Sequence, residues 1–326
     1  MKRTHTKLNT AEGQTKRFGV GMLSPTVVIL LIMTAYPLIF TFFYSFTNYN
    51  LLRNLRSPAK ITFFQNYVKL LKDPYFQQSI WNTVKFTIFA VIFEMLIGFA
   101  MALFVNSLHK GQKTMRTLLL LPYLLPTVTV ALSWRMMLSP NYGIVNQVLQ
   151  ALHLPVFNWF SDIRTAFGML VLIDVWQSAP FVFLLLYAAL QSVPQGQYEA
   201  ARIDGANHFQ VFGKIVLPLY KAGLATIGLF NVVGRWNDWF TGMLYIKKAS
   251  LIPLQTMLKN IQDNIDFLKQ NAEVAGTPDG IAFLNSLPDQ NLRMACTIIV
   301  IVPILCAYPF FQRYFVQGLT MGSVKE

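Results

Sequence analysis

Apolar residues in this chain gather into long runs rather than alternating with polar ones. Six stretches reach the about 20 mostly apolar residues that a transmembrane helix needs. They lie near Phe18–Phe46, Thr83–Asn106, Thr117–Leu138, Ala166–Leu190, Leu219–Ile246 and Leu292–Val316. The first is read as a span and not a cleaved leader, because its run far exceeds the about 7–15 residues of a signal core. Aromatic residues also stand where a small-residue cleavage site would be. Prolines recur in or beside the runs, at Pro25, Pro37, Pro122, Pro126, Pro180, Pro303 and Pro309. Neighbouring helices tolerate such prolines by satisfying the freed carbonyls, so the pattern predicts a kinked, moving bundle. Two polar stretches interrupt the runs. Residues 247–291 are too long for a simple link, and Leu254, Met257, Leu258, Ile261, Ile265 and Leu268 recur there at helical spacing, predicting an amphipathic helix.

Composition agrees with the runs. The chain is 54% hydrophobic and 13% charged, with a mean hydropathy of +0.43, against about 25% charged residues in soluble domains. That excludes a disordered, collagenous or coiled-coil chain and an ordinary soluble enzyme. The net charge of +13 would point a soluble protein towards nucleic acid. In a membrane protein it reports the cytoplasmic loops. Lys2, Arg3, Lys7, Lys16 and Arg17 precede the first run; Lys110, Lys113 and Arg116 crowd the link between the second and third; Arg202, Lys214 and Lys221 lie between the fourth and fifth. The opposite loops carry their bases over longer segments, diluted by Asp73, Asp162, Asp263, Asp266, Glu273, Asp279 and Asp289. Both termini, residues 1–17 and 317–326, are therefore expected in the cytoplasm, and nucleic acid is not expected as a partner.

Catalytic chemistry is not visible. Cys296 and Cys306, ten residues apart on one helix, would stand about 15 Å from each other, too far for a disulfide. His5, His153 and His208 are isolated in sequence and offer no metal spacing. There is no GxxxxGK[ST] phosphate loop, so this chain is not an ATPase by that route.

The second polar stretch, residues 193–223, reads as helix, turn, helix. Glu199 to Asp204 forms helix well, Gly205 is free to adopt a positive φ and turn the chain, and Phe209, Phe212 and Ile215 recur at spacing three on one face. Pro218 opens the next run, where its missing N–H costs little. A short helix offered by a membrane bundle to the cytoplasm is a docking surface for a soluble partner.

The pattern EAA-x3-G-x9-I-x-LP, carried by Glu199, Ala200, Ala201, Gly205, Ile215, Leu217 and Pro218, resembles the signature loop of ATP-binding-cassette importer permeases at every motif position. In that family the loop is a coupling helix seated in a groove of the cytoplasmic ATPase. The resemblance implies that these residues couple the chain to the ATPase, the small Ala200 and Ala201 allowing close docking and Glu199 or Asp204 meeting basic groups. An amphipathic surface helix between spans is the plainer alternative. The likeness covers nearly the whole chain and narrows to carbohydrate importers. YPLIFTFFYSFTNYNL at 36–51 and LLLLPYLLPTVTVALSWRMML at 118–138 look like the first of their two permease types. LATIGLFNVVGRWNDWFTGMLYI at 224–246 and RMACTIIVIVPILCAYPFFQRYFVQGLTMGSVK at 293–325 look like the second, so the chain reads as a mosaic.

The fold this implies is all-α and integral to the membrane, with six transmembrane helices over residues 18–316. A cytoplasmic coupling loop at 193–218 lies between spans four and five, and 247–291 forms an external loop. The implied function is the permease subunit of an ATP-driven importer for a sugar or oligosaccharide, in a bacterial or archaeal cell membrane. The implied partners are a second homologous permease, a dimer of ATP-binding-cassette ATPases that hold ATP and Mg, and an extracytoplasmic solute-binding protein. The chain itself is expected to bind no cofactor and no metal.

Carboxylates inside apolar spans are costly and mark functional candidates. Glu94 shares a spacing-four stripe with Ala90, Gly98 and Ala102, which reads as a helix–helix contact face. Asp174 precedes Trp176 and Gln177; Asp238 lies in GRWNDWF, three residues after Arg235, within pairing distance on one helix. A sugar site needs aromatic faces for the ring and fixed polar groups for the hydroxyls. Asp174, Trp176 and Gln177, with Trp236, Asn237, Asp238 and Trp239, supply both and are the substrate-path candidates. Interfacial anchoring or core packing accounts for the same tryptophans equally well. Two rival functions remain: an autonomous secondary transporter, and a membrane glycan-modifying enzyme, which would need a cluster of acids or histidines at a membrane face.

Overall fold

The computed structural model describes residues 18–49, 59–191, 196, 205, 210, 213–214, 217–271, 273, 277–278 and 290–323. Among them the structure is helical, without a strand beyond one isolated antiparallel bridge between Thr47 and Ile61. The helices are α1 (Phe18–Ser45), α2 (Gln65–Lys72), α3 (Pro74–Ser107), α4 (Gln112–Leu124), α5 (Thr127–Met137) and α6 (Ile144–Ala151). They continue with α7 (Ile163–Leu190), α8 (Leu217–Trp236), α9 (Phe240–Tyr245), α10 (Leu254–Gln270) and α11 (Gln290–Ser323). Among the described residues, four helices are long and apolar enough to cross a membrane: α1, α3, α7 and the Gln290–Pro309 part of α11. The bent pair α4 and α5 makes a fifth if it is one span. The stretch expected to cross at Leu219–Ile246 is instead interrupted, with α8 ending at Trp236 and α9 beginning at Phe240.

Chain contacts separate two compact units, Met1–Leu70 with Pro288–Ile301, and Leu71–Leu287 with Val302–Glu326. In the first, α1 contains a π-helical turn at Leu31–Ala35, just before Pro37. Proline lacks an N–H and perturbs the preceding turn, which accounts for the widened ring there. Asn66 organises this unit: its Nδ2 donates to the carbonyls of Ser45 (2.7 Å) and Thr47 (2.8 Å). Its Oδ1 accepts from Asn291 Nδ2 at 2.8 Å.

The second unit is built on α3 and α7, each started by an aspartate cap. Asp73 accepts from the Phe76 N–H (2.9 Å) and Asp162 from the Arg164 N–H (3.0 Å). The helices meet along the predicted stripe, since Ala90, Glu94, Gly98 and Ala102 are all buried. A Cβ on Gly98 would fall 2.9 Å from the Phe183 backbone nitrogen and from Val182 Cβ. In lipid, such close backbone approach is a main source of helix association. Helix α8 packs against both α3 and α7. The amphipathic helix expected in 247–291 is present as α10, which buries Leu254 and Ile265. Its start is tied to α3 by Thr83 Oγ1, which accepts from the Leu254 N–H at 2.8 Å, and by Asn82 Nδ2, which donates to the Ser250 carbonyl at 2.9 Å.

The α4–α5 pair bends by 85°. Leu125 precedes Pro126 and takes the extended backbone that such residues prefer, with ψ 136°. Its carbonyl is satisfied from α7, where Gln177 Nε2 donates to it at 3.1 Å. Both cysteines are free, Cys296 buried and Cys306 exposed.

Candidate functional site

The densest polar construction inside the apolar helices surrounds Arg235, in the last turn of α8. Its Nε lies 2.9 Å from Glu94 Oε1 on α3, and one terminal nitrogen lies 2.6 Å from Asp174 Oδ1 on α7. The other terminal nitrogen donates to Ser178 Oγ at 2.7 Å. Asp238 Oδ2 stands 3.6 Å away on the same chain segment. One guanidinium thus ties three helices together. Its fork geometry is what allows it to serve several oxygens at once. Glu94 and Asp174 are buried and hydrogen-bond to each other beside the guanidinium.

Immediately after Arg235 the helix stops, and local chemistry explains why. Asn237 Nδ2 donates back to the Val233 carbonyl at 2.9 Å, closing α8. Asp238 Oδ1 accepts from the Phe240 and Thr241 N–H groups at 2.9 and 3.0 Å, capping α9. Asn237 and aspartate side chains compete in this way with the regular helix ladder. The break is held from α10: Thr256 Oγ1 donates to the Trp239 carbonyl (2.9 Å), Gln255 Nε2 donates to Asn237 Oδ1 (3.1 Å), and the Lys259 ammonium sits 5.2 Å from the Trp239 ring centre.

The break opens a cavity of about 700 Å³. Its polar wall is Asp174, Gln177, Ser178, Arg235, Asn237 and Asp238, and its aromatic wall is Tyr123, Trp239 and Phe240. The bend at Leu124–Thr127 forms the remaining side. Two interruptions of helix, one at Pro126 and one at Asn237–Trp239, therefore face the same space. Irregular backbone at membrane depth is tolerated where it lines a cavity.

Of the substrate-path candidates, Asp174, Gln177, Asn237, Asp238 and Trp239 line this cavity. Trp176 faces elsewhere, into an apolar groove of about 820 Å³ with Phe89, Phe93 and Phe167, and packs edge-on against Trp134. Trp236, half-buried at the end of α8, is not among the lining residues. The expected Arg235–Asp238 pair is present but is the longest of the three contacts. Sequence reading missed Ser178 and the partnership of Arg235 with Glu94 and Asp174. The available signal was Arg235 itself, since an arginine within an apolar run must find carboxylates on facing helices. Of the coupling residues, Glu199, Ala200, Ala201, Asp204 and Ile215 lie outside the described residues. Gly205 is exposed with φ +76°, a left-handed turn conformation that suits glycine. Leu217 and Pro218 begin α8, with Pro218 exposed.

Comparison with known proteins places this geometry in a family. Residues 94–321 match the family described as binding-protein-dependent transport system inner membrane component. The inner membrane ABC transporter permease protein YcjO of Escherichia coli is 35% identical over 236 residues, covering 70% of this chain and 78% of that protein. The trehalose/maltose transport system permease protein MalF of Thermococcus litoralis is 35% identical over 207 residues, covering 63% and 68%. The fold resembles a chain in the crystal structure of a bacterial alginate ABC transporter in complex with alginate pentasaccharide-bound periplasmic protein. That likeness has a TM-score of 0.71 at 20% identity and covers 94% of this chain and 97% of that one. The chain belongs to the binding-protein-dependent transport system inner membrane components, and as an ABC transporter permease it is a transporter subunit and not itself an enzyme.

Proposed function

We propose that this chain is the six-span permease subunit of an ATP-driven importer for a sugar or oligosaccharide, forming half of a translocation pathway. The observation that carries the reading is the cavity at the break between α8 and α9, where carboxylates, amides and Trp239 meet inside apolar helices. Hydroxyls need fixed donors and acceptors and a sugar ring needs an aromatic face, and this wall supplies both. The names of the relatives agree, among them the trehalose/maltose permease of T. litoralis and the sulfoquinovosyl glycerol permease protein SmoG of Agrobacterium fabrum, 32% identical over 212 residues.

A second homologous permease completes the pathway, and two ATPase subunits holding ATP and Mg power it. An extracytoplasmic solute-binding protein delivers the substrate, and α10 lies on the face that receives it. Both termini are cytoplasmic, which puts the loop 193–218 on the ATPase side. Glu199, Ala200, Ala201, Asp204, Gly205, Ile215, Leu217 and Pro218 form the coupling element there. ATP binds the closed ATPase pair better than the open one, and that difference drives the cavity from inward- to outward-facing. α8 runs directly from the coupling loop to Arg235, so it carries the movement to the charged cluster as a rod about 30 Å long.

Gly205→Pro and Glu199→Lys are expected to abolish transport and substrate-stimulated ATP hydrolysis while the complex still inserts. Normal transport by both variants refutes the coupling assignment. An autonomous secondary transporter predicts the opposite of co-purification with a tagged ATPase: solute accumulation by the chain alone on an ion gradient.

A further inference from the structure

We infer that the cavity selects neutral glycans and rejects acidic ones; the inference rests on the carbohydrate-permease reading and narrows it. The relatives named above include carriers for both classes, so family membership leaves the choice open. The argument is one of available donors. Arg235 is the only cationic side chain lining the cavity among the described residues. It is already engaged by acidic and polar groups, with Glu94 and Asp174 at ion-pair distance and Ser178 accepting from a terminal nitrogen. A carboxylate, sulfonate or phosphate on a substrate would have to share this one cation with two carboxyls already beside it.

The remaining charge is negative. Asp174 and Asp238 line the cavity and Glu94 lies directly behind Arg235, so the cavity's one cation is flanked by acidic side chains. An anionic sugar entering this space meets acidic side chains in a poorly solvated site, which disfavours its binding. A hydroxyl meets the reverse situation. Asp238, Gln177 and Asn237 line the cavity with a carboxyl and two amide groups, beside the exposed face of Trp239. The nearby Lys259 does not alter the balance, because its ammonium is 2.6 Å from Asp263 Oδ1 and does not line the cavity.

The test uses the complete transporter in proteoliposomes, with its second permease, ATPase and binding protein. ATP hydrolysis and uptake are measured with neutral oligosaccharides (malto-, cello-, xylo- and arabino-oligomers) and with acidic ones (oligogalacturonates and alginate oligomers). Stimulation by a neutral glycan and by no acidic one is expected. An acidic glycan that stimulates as well as the best neutral one overturns the inference while leaving the carbohydrate reading intact. Stimulation by a non-carbohydrate solute alone overturns both. A second arm separates the cavity from the binding protein. Uptake of the best neutral glycan is compared with that of its terminally oxidised, carboxylate-bearing analogue, in the native complex and in Asn237→Arg and Thr127→Lys. Because the binding protein is common to all, the ratio between the two substrates reads the cavity. Each added cation is expected to shift that ratio towards the carboxylate by at least about tenfold. An unchanged ratio in both variants refutes the cavity as the place where charge is selected.

Discussion

Replacing Arg235 with methionine tests whether the charged cluster obeys simple electrostatics. The substitution keeps the apolar stem but removes the group that stands 2.9 Å from Glu94 and 2.6 Å from Asp174. Those carboxyls are 0% and 4% exposed, so neither gains water in exchange. Removing one partner of a buried ion pair costs about 3–5 kcal/mol, because the other charge is left uncompensated. For a domain of this size each kcal/mol moves the midpoint by about 2–4 °C, so Arg235→Met should lower the apparent Tm by about 6–20 °C. Glu94→Gln behaves differently. It preserves shape and leaves Arg235 paired with Asp174. Its expected cost is below about 1.5 kcal/mol, that of one rearranged hydrogen bond. Scanning fluorimetry of the purified complex at one fixed heating rate reads both variants, since membrane complexes commonly unfold irreversibly. The combined variant Glu94→Gln, Asp174→Asn, Arg235→Met should recover much of the loss. Equal destabilisation by Glu94→Gln and Arg235→Met, or no recovery in the combined variant, refutes the charge argument.

Three further outcomes follow from particular contacts. Gly98→Val places its Cβ against the Phe183 backbone, forcing α3 and α7 apart at a cost of about 1–3 kcal/mol, read as a lowered midpoint; an unchanged midpoint refutes the close-packed stripe. Asn66→Ala removes bonds to Ser45, Thr47 and Asn291, about 2–4 kcal/mol in total, and hydrogen exchange should rise at the end of α1 and the start of α11. Trp239→Ala removes the cavity's exposed aromatic face and should reduce transport kcat/KM by roughly tenfold, while Trp239→Phe retains most of it; full activity of the alanine variant excludes ring stacking at this site.

Much of the architecture was legible because membrane residence is written locally. The apolar runs at Thr83–Asn106 and Ala166–Leu190, which lie within α3 and α7, needed no partner to be recognised, and the spacing of Leu254 to Leu268 announced α10. The stripe of Ala90, Glu94, Gly98 and Ala102 named a contact face correctly, since helical periodicity is a property of one segment. The interruption of the expected fifth span was less visible. GRWNDWF was read as a source of sugar contacts, yet Asn237 and Asp238 also close one helix and cap the next.

The amino-acid sequence by itself determined a helical membrane chain, the faces its helices present and the motif that marks its family. Only the tertiary structure decided which charges pair. Periodicity states which residues share a face but not which helix lies opposite. Arg235 could be matched to Asp238 along the chain, whereas its shorter contacts with Glu94 and Asp174 exist only because α3, α7 and α8 converge. The same convergence places Gln177 on the Leu125 carbonyl and opens the cavity between two helix breaks. In a medium without water, buried polar groups must find partners within the protein, so the packing of the helices, and not the order of residues along them, sets where the chemistry lies.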